Sequence, residues 1–161
     1  MSFADPLREA ALPIIAPFLR GEEAEAWEVL TGPAKDDPIP GLGTTPRRIL
    51  QTLGTEWGRE TVSPTLWVDI ARLKAERALL RGEAVVFDDV RFENEFDLIR
   101  ELGGHVVKIV RPDAPETEEH ASNGRLDSRR FDYTLINDGS LDMLREKAGV
   151  IGMSFLRWYR P

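Results

Sequence analysis

The tightest constraint on the fold is a change of hydrophobic period at Gly82. Upstream, Leu66, Trp67, Ile70, Leu73, Arg77 and Leu80 recur at helical spacing, as one buried stripe, and Ser63-Pro64 marks where that helix opens. Downstream, Ala84-Val85-Val86-Phe87 is an unbroken apolar run ending in Asp88-Asp89, the pattern of a buried parallel strand with acidic residues at its carboxyl end. Asn94 to Leu102 returns to helical spacing and is closed by Gly103-Gly104. A second buried strand, His105 to Val110, then runs into Arg111-Pro112. Strand, helix and strand in that order predict a right-handed parallel crossover, hence an α/β fold with a short, mainly parallel sheet flanked by helices. Tyr133 to Ile136 reads as a third strand. The turn Asn137-Asp138-Gly139 follows, then a last helix from Leu141 to about Lys147.

Ahead of this unit, Asp5-Pro6 reads as a cap and first helical residue, with Pro13 and Pro17 expected to kink or end the helix. Glu22 to Leu30 has helical composition, and the Pro- and Gly-rich stretch 31–46 reads as a long loop. Thr45-Pro46 opens a short helix with Ile49, Leu50, Leu53 and Trp57 on its apolar face, which Gly58 is placed to close. The segment 150–161 is rich in large apolar residues, including Phe155, Trp158 and Tyr159, and reads as a tail that either packs back or docks a partner.

A chain of 161 residues suits one compact domain, 1–161. With no cysteine and only His105 and His120, thiolate metal sites are excluded, and any metal is expected to be a hard cation on carboxylates. The net charge of −7 argues against coating nucleic acid, although local Arg clusters remain compatible with small anionic ligands. No apolar run approaches a membrane span and the first residues carry no signal core, so a cytoplasmic protein is expected.

Ligands of doubly wound sheets sit outside the carboxyl ends of the strands, where Asp88, Asp89, Arg91 and Arg111 are predicted to lie. Two adjacent carboxylates there suit magnesium; the alternative is that Asp89 caps a turn and Asp88 pairs with an arginine. Arg47, Arg48, Gln51 and Arg59 surround Trp57 on or beside one short helix. That set offers bidentate phosphate contacts, an amide for a base edge and a stacking ring, or else solvated arginines and a core tryptophan. His120 lies in a charged loop, as an exposed side chain or as part of a lid, and Arg125, Arg129 and Arg130 face the same pair of readings.

Taken in order, Phe3-Ala4-Asp5-Pro6-Leu7-Arg8, the segment Pro46-Arg47-Arg48-Ile49-Leu50-Gln51-Thr52-Leu53-Gly54-Thr55-Glu56-Trp57-Gly58-Arg59, and Phe87-Asp88-Asp89-Val90-Arg91-Phe92-Glu93-Asn94-Glu95 resemble the bacteriophage-type deoxynucleoside monophosphate kinases of the P-loop kinase superfamily. Gly103-Gly104, Arg111-Pro112, His120-Ala121-Ser122 and Asn137-Asp138-Gly139-Ser140-Leu141 continue the resemblance, which covers nearly all of the chain to about Leu144. It implies a three-layer kinase-like fold and the transfer of the terminal phosphoryl group of ATP to a deoxynucleoside monophosphate, with magnesium. It further implies catalytic and metal-binding roles at Asp88 and Asp89, a catalytic role for Arg91, and substrate contacts from Arg8, Arg48, Gln51, Thr55, Trp57, Arg59, Arg111 and His120.

The chain departs from the family pattern in two places. Family members place a strand and a Gly-rich loop ending in Gly-Lys-Ser/Thr ahead of the Phe-Ala-Asp-Pro motif, whereas Met1 falls directly on that motif. Gly41-Leu42-Gly43-Thr44-Thr45 lacks the lysine. Asn123 stands where an acidic residue is expected. The fold expected is therefore an incomplete P-loop kinase-like one. The function expected is monophosphate binding without autonomous transfer from ATP, with a homodimer as one way to complete the sheet. The alternative is a non-catalytic phage protein that reuses the scaffold to bind a host protein or sequester a nucleotide.

Overall fold

The structure, a computed structural model, describes residues 1–19, 23–112 and 126–158. The chain forms two compact units, Met1–Val90 and Arg91–Pro161.

The first unit is helical. α1 (Asp5–Ile15) begins with Pro6 in its first turn and passes into a 3₁₀ turn, Ala16–Phe18, where Pro13 and Pro17 interrupt regular bonding. α2 (Glu23–Thr31) follows, then a 3₁₀ turn at Pro33–Asp36. Ala11, Ile15, Ala16, Ala26, Leu30 and Ile39 form the buried core here, with Ile49, Leu50 and Leu53 packed against it. α3 (Pro46–Gln51) starts as expected: Thr45 accepts a hydrogen bond from the Arg48 N–H, and Pro46 occupies the first turn.

Gly58 does not close that helix. The chain continues without a break as a π-helix, Thr52–Val62, whose wider turns end with the Ser63 N–H donating to the Gly58 carbonyl, five residues back. α4 (Leu66–Leu80) then packs through Trp67, a member of the expected stripe, and through Val68, Ala71, Ala75 and Ala78 rather than the leucines of that stripe. Leu73 is half exposed and Leu80 is 87% exposed. Small residues allow the close approach of neighbouring helices that bulky leucines prevent, so the alanine face turns inward.

The strand expected at Ala84–Phe87 is a second correction. The segment is extended, but among the described residues its backbone is bonded by Met1 alone, whose amino group donates to the Val86 carbonyl over 2.8 Å and whose carbonyl accepts from Asp88 over 3.4 Å. Without a neighbouring ladder no strand forms, and Val86 is 72% exposed where burial was expected.

The second unit carries the sheet. α5 (Glu93–Glu101) is started by the buried Glu95 carboxylate, which accepts from the backbone N–H groups of Arg91 and Phe92. Gly103, at φ +75°, lets the chain leave the helix, as Gly103-Gly104 predicts. β1 (Val107–Val110) and β2 (Tyr133–Ile136) pair in parallel, Val107 opposite Tyr133 and Val110 opposite Ile136. The α/β class with a short parallel sheet is thus present, but the two strands that pair are β1 and the one at 133–136, not 84–87 and 105–110 as the sequence suggested. Phe96, Leu98, Val106 and Leu135 are buried here, and Phe131 meets Phe96 edge-on at 5.7 Å. α6 (Leu141–Trp158) runs well past Lys147, so most of the expected tail is helix. Its Phe155 stacks on His105 at 4.3 Å and meets the edge of Tyr133.

Candidate nucleotide site

α3 and the π-helix present one polar stripe. Arg48, Gln51, Thr55 and Arg59 are spaced by three, four and four residues, so they recur once per turn. Arg48, Gln51 and Thr55 are exposed and Arg59 is half-buried, whereas Ile49, Leu50 and Leu53 pack on the core. The Arg48 side chain has no ion-pair partner among the described residues, so its forked donors face solvent. Such a guanidinium can hold a phosphate through two parallel bonds, and Gln51 and Thr55 supply an amide and a hydroxyl on the same side. Trp57 is 49% exposed, with its ring 6.4 Å from that of Trp67. It therefore keeps an open face for stacking while resting on the core.

Other sequence-predicted residues are taken up within the first unit. Arg47 forms a two-pronged pair with Asp36, whose carboxyl is held below its ordinary range chiefly by the hydrogen bond from that guanidinium. Arg8 donates to Asp5 over 2.9 Å and to the Ser2 hydroxyl over 3.2 Å, binding the first turn of α1 to the residues before it.

Asp89 has an unexpected set of partners. Its carboxylate accepts from the Phe3 N–H over 2.7 Å, from the Ala4 N–H over 3.2 Å and from the Ser2 hydroxyl. Phe87 stacks on Phe3 at 4.2 Å beside it. Asp89 thus organises the turn that leads into α1, whereas Asp88 is exposed. Magnesium is satisfied by one or two carboxylates completed by water and substrate phosphates, so Asp88 fits as a direct ligand. The donors already on Asp89 leave it better suited to holding the turn. Among the described residues no group of three or more metal-ligating side chains occurs. A Gly-rich loop with a Lys-Ser/Thr ending, of the kind that holds ATP phosphates, does not occur within the 161 residues.

In the second unit Arg111 is exposed directly beyond the carboxyl end of β1, the end at which parallel strands present their ligand sites. Arg91 is exposed too, its backbone N–H held by Glu95. Arg129 is committed to Glu93 and Asp97 and lies 4.4 Å over the Phe96 ring. His120 and Arg125 lie outside the described residues. Sequence reasoning missed Asp132, which accepts from Arg100, from the Val106 N–H over 2.6 Å and faces His105. Trp67 was expected in the buried stripe and is buried, but its bond was not foreseen: the indole N–H donates to the Gly54 carbonyl over 2.9 Å.

The family model for deoxynucleotide monophosphate kinase matches residues 44–148, which take in α3, the π-helix, α4, α5, both strands and the start of α6. A protein of Acanthamoeba polyphaga mimivirus, provisionally named a deoxynucleotide monophosphate kinase, is 33% identical over 154 residues, 88% of this chain and 76% of its own length. The deoxynucleotide monophosphate kinase of Enterobacteria phage T4 is 30% identical over 63% of the chain and 42% of its own length. The deoxynucleoside-5'-monophosphate kinase of Escherichia phage T5 is 31% identical over 64% and 43%. The chain is therefore similar to less than half the length of these two phage enzymes.

Proposed function

This chain belongs to the deoxynucleotide monophosphate kinase family, and on that premise we propose that it binds a deoxynucleoside monophosphate on the exposed face of α3 and the π-helix and does not by itself transfer phosphate from ATP. The observation that carries the reading is the exposed Arg48, without an ion-pair partner among the described residues, beside Gln51 and Thr55 on a helix whose other face is core. Arg48 takes the 5'-phosphate, Gln51 and Thr55 hydrogen-bond the sugar or base, and the open side of Trp57 stacks on the base. Arg59 backs the phosphate with a second positive charge. Asp88 is the carboxylate offered to a magnesium ion, which when bound neutralises phosphate charge. In the second unit Arg91 and Arg111 are proposed to contact phosphate, and His120, which lies outside the described residues, keeps the substrate-binding role that the family resemblance implies. The proposed lack of transfer from ATP by this chain alone is supported by the sequence, in which no lysine-bearing Gly-rich loop lies within the 161 residues.

Affinity for the monophosphate, measured on Arg48→Ala and Gln51→Ala, tests the site. Loss of charge-assisted bonds from Arg48 weakens binding by about tenfold or more, and loss of the Gln51 amide by about fivefold. Equal affinity of wild type and Arg48→Ala would remove the site assignment. The family's viral members favour action in the cytoplasm of an infected cell. A scaffold that binds a host protein, or a homodimer, is the alternative reading. The stacking of Phe155 on His105 weighs against the aromatic segment as its free docking element.

A further inference from the structure

Helical turns closed by bonds five residues back seldom persist beyond a single turn, yet here they run for eleven residues, Thr52–Val62. Support has to come from outside the helix, and two glycines mark where it arrives. A Cβ on Gly54 would lie 2.9 Å from Leu7 Cδ2 of α1, and a Cβ on Gly58 would lie 2.6 Å from Trp67 Nε1 and 2.8 Å from Trp67 Cε2 of α4. The Trp67 side chain is buried, and its N–H donates to the Gly54 carbonyl over 2.9 Å. One indole therefore spans the π-helix from Gly54 to Gly58, close to a full turn. Thr55 and Trp57 are exposed on the same stretch of helix.

We propose that Trp67 is a positioning residue for the nucleotide-binding face: its N–H on Gly54 and its ring against Gly58 hold the π-helix in the register that sets Thr55 and Arg59 beside Arg48 and Gln51. The inference rests on the proposed monophosphate site and adds the buried residue that keeps the site in shape. Trp67 acts through Gly54 and Gly58 and touches no nucleotide. Without the indole donor, the π-helix loses an anchor for its wide turns. A return to bonds four residues back would rotate Thr55 and Arg59 relative to Arg48 and lengthen the spacing between them.

Trp67→Phe keeps an aromatic ring in the core and removes the donor. Affinity for dTMP or dGMP is expected to fall by about fivefold, the worth of one hydrogen bond, while the thermal midpoint moves by only a few degrees. Backbone amide exchange across 54–62 is expected to accelerate by about tenfold, with α4 unchanged. Gly58→Ala alone should produce the same signature, because its methyl group meets the indole. In the Trp67→Phe background it should add little, since the smaller ring leaves room for that methyl. Unchanged exchange across 54–62, or fully additive effects of the two substitutions, would overturn the clamp. Faster exchange with unaltered affinity would overturn the positioning role. A wild-type chain that binds no monophosphate would overturn it as well, and the exchange measurement then separates failure of the site from failure of the clamp.

Discussion

Arg47 and Arg48 are adjacent in sequence and differ in fate. Arg47 is committed to Asp36, whereas Arg48 has no ion-pair partner among the described residues, so on the proposed site Arg47→Ala should leave monophosphate affinity within about twofold of wild type, in contrast to Arg48→Ala. Asp88 and Asp89 divide in a similar way. Removing the Asp89 carboxylate strips the acceptor from the buried Phe3 N–H and from Ala4 and Ser2, which costs about 1–3 kcal/mol, so Asp89→Ala should lower the thermal midpoint while Asp88→Ala should not. Equal midpoints for the two variants would contradict the structural role of Asp89. Asp132 gives a pH-dependent counterpart. Burial works to raise its pKa, but the hydrogen bonds from Arg100 and the Val106 N–H outweigh it and hold the carboxyl below its usual range. A depressed native pKa stabilises the fold above the unfolded value, about 4, and that contribution is lost as pH falls through the native one. Asp132→Asn should therefore melt below wild type at pH 7, and the two should converge as pH drops below about 4. A constant gap down to pH 2 would contradict this.

At the scale of elements, the start of α3 rests on the Thr45 hydroxyl, and Thr45→Ala should destabilise the first unit by about 1 kcal/mol, read as a shift in the urea midpoint. That cap was legible in the sequence, as were Pro46 and the Gly103 exit from α5, because such signals act within a few residues. Elements defined by distant neighbours were not legible. The run Ala84–Phe87 has strand composition, but whether it becomes a strand depends on a partner ladder that the run itself does not encode. The inner face of α4 was misread because hydropathy weights leucine over alanine, while close helix packing selected Ala71, Ala75 and Ala78. The π-helix leaves almost no trace, since no residue type favours bonds five residues back over bonds four back and its support comes from Leu7 and Trp67, distant in sequence. Only the glycine pair Gly54 and Gly58 hinted at close approach there. The polar stripe of the candidate site was readable as residue types at helical spacing. The role of Asp89 was not, because its partners Ser2, Phe3 and Ala4 lie more than eighty residues away.

At the scale of the whole molecule, family membership and the polar stripe point to the same ligand. The face proposed for a monophosphate lies on the described residues of the first unit, and the 161-residue sequence contains no lysine-bearing Gly-rich loop. Monophosphate binding without turnover is the proposed behaviour, so the two have to be measured together. Calorimetric titration of the purified chain with each of the four deoxynucleoside monophosphates, with magnesium and ATP present and diphosphate formation followed in the same samples, does so most directly. Saturable binding of at least one monophosphate without diphosphate formation is the predicted result. Failure of all four to bind, or formation of diphosphate by this chain alone, would contradict the account.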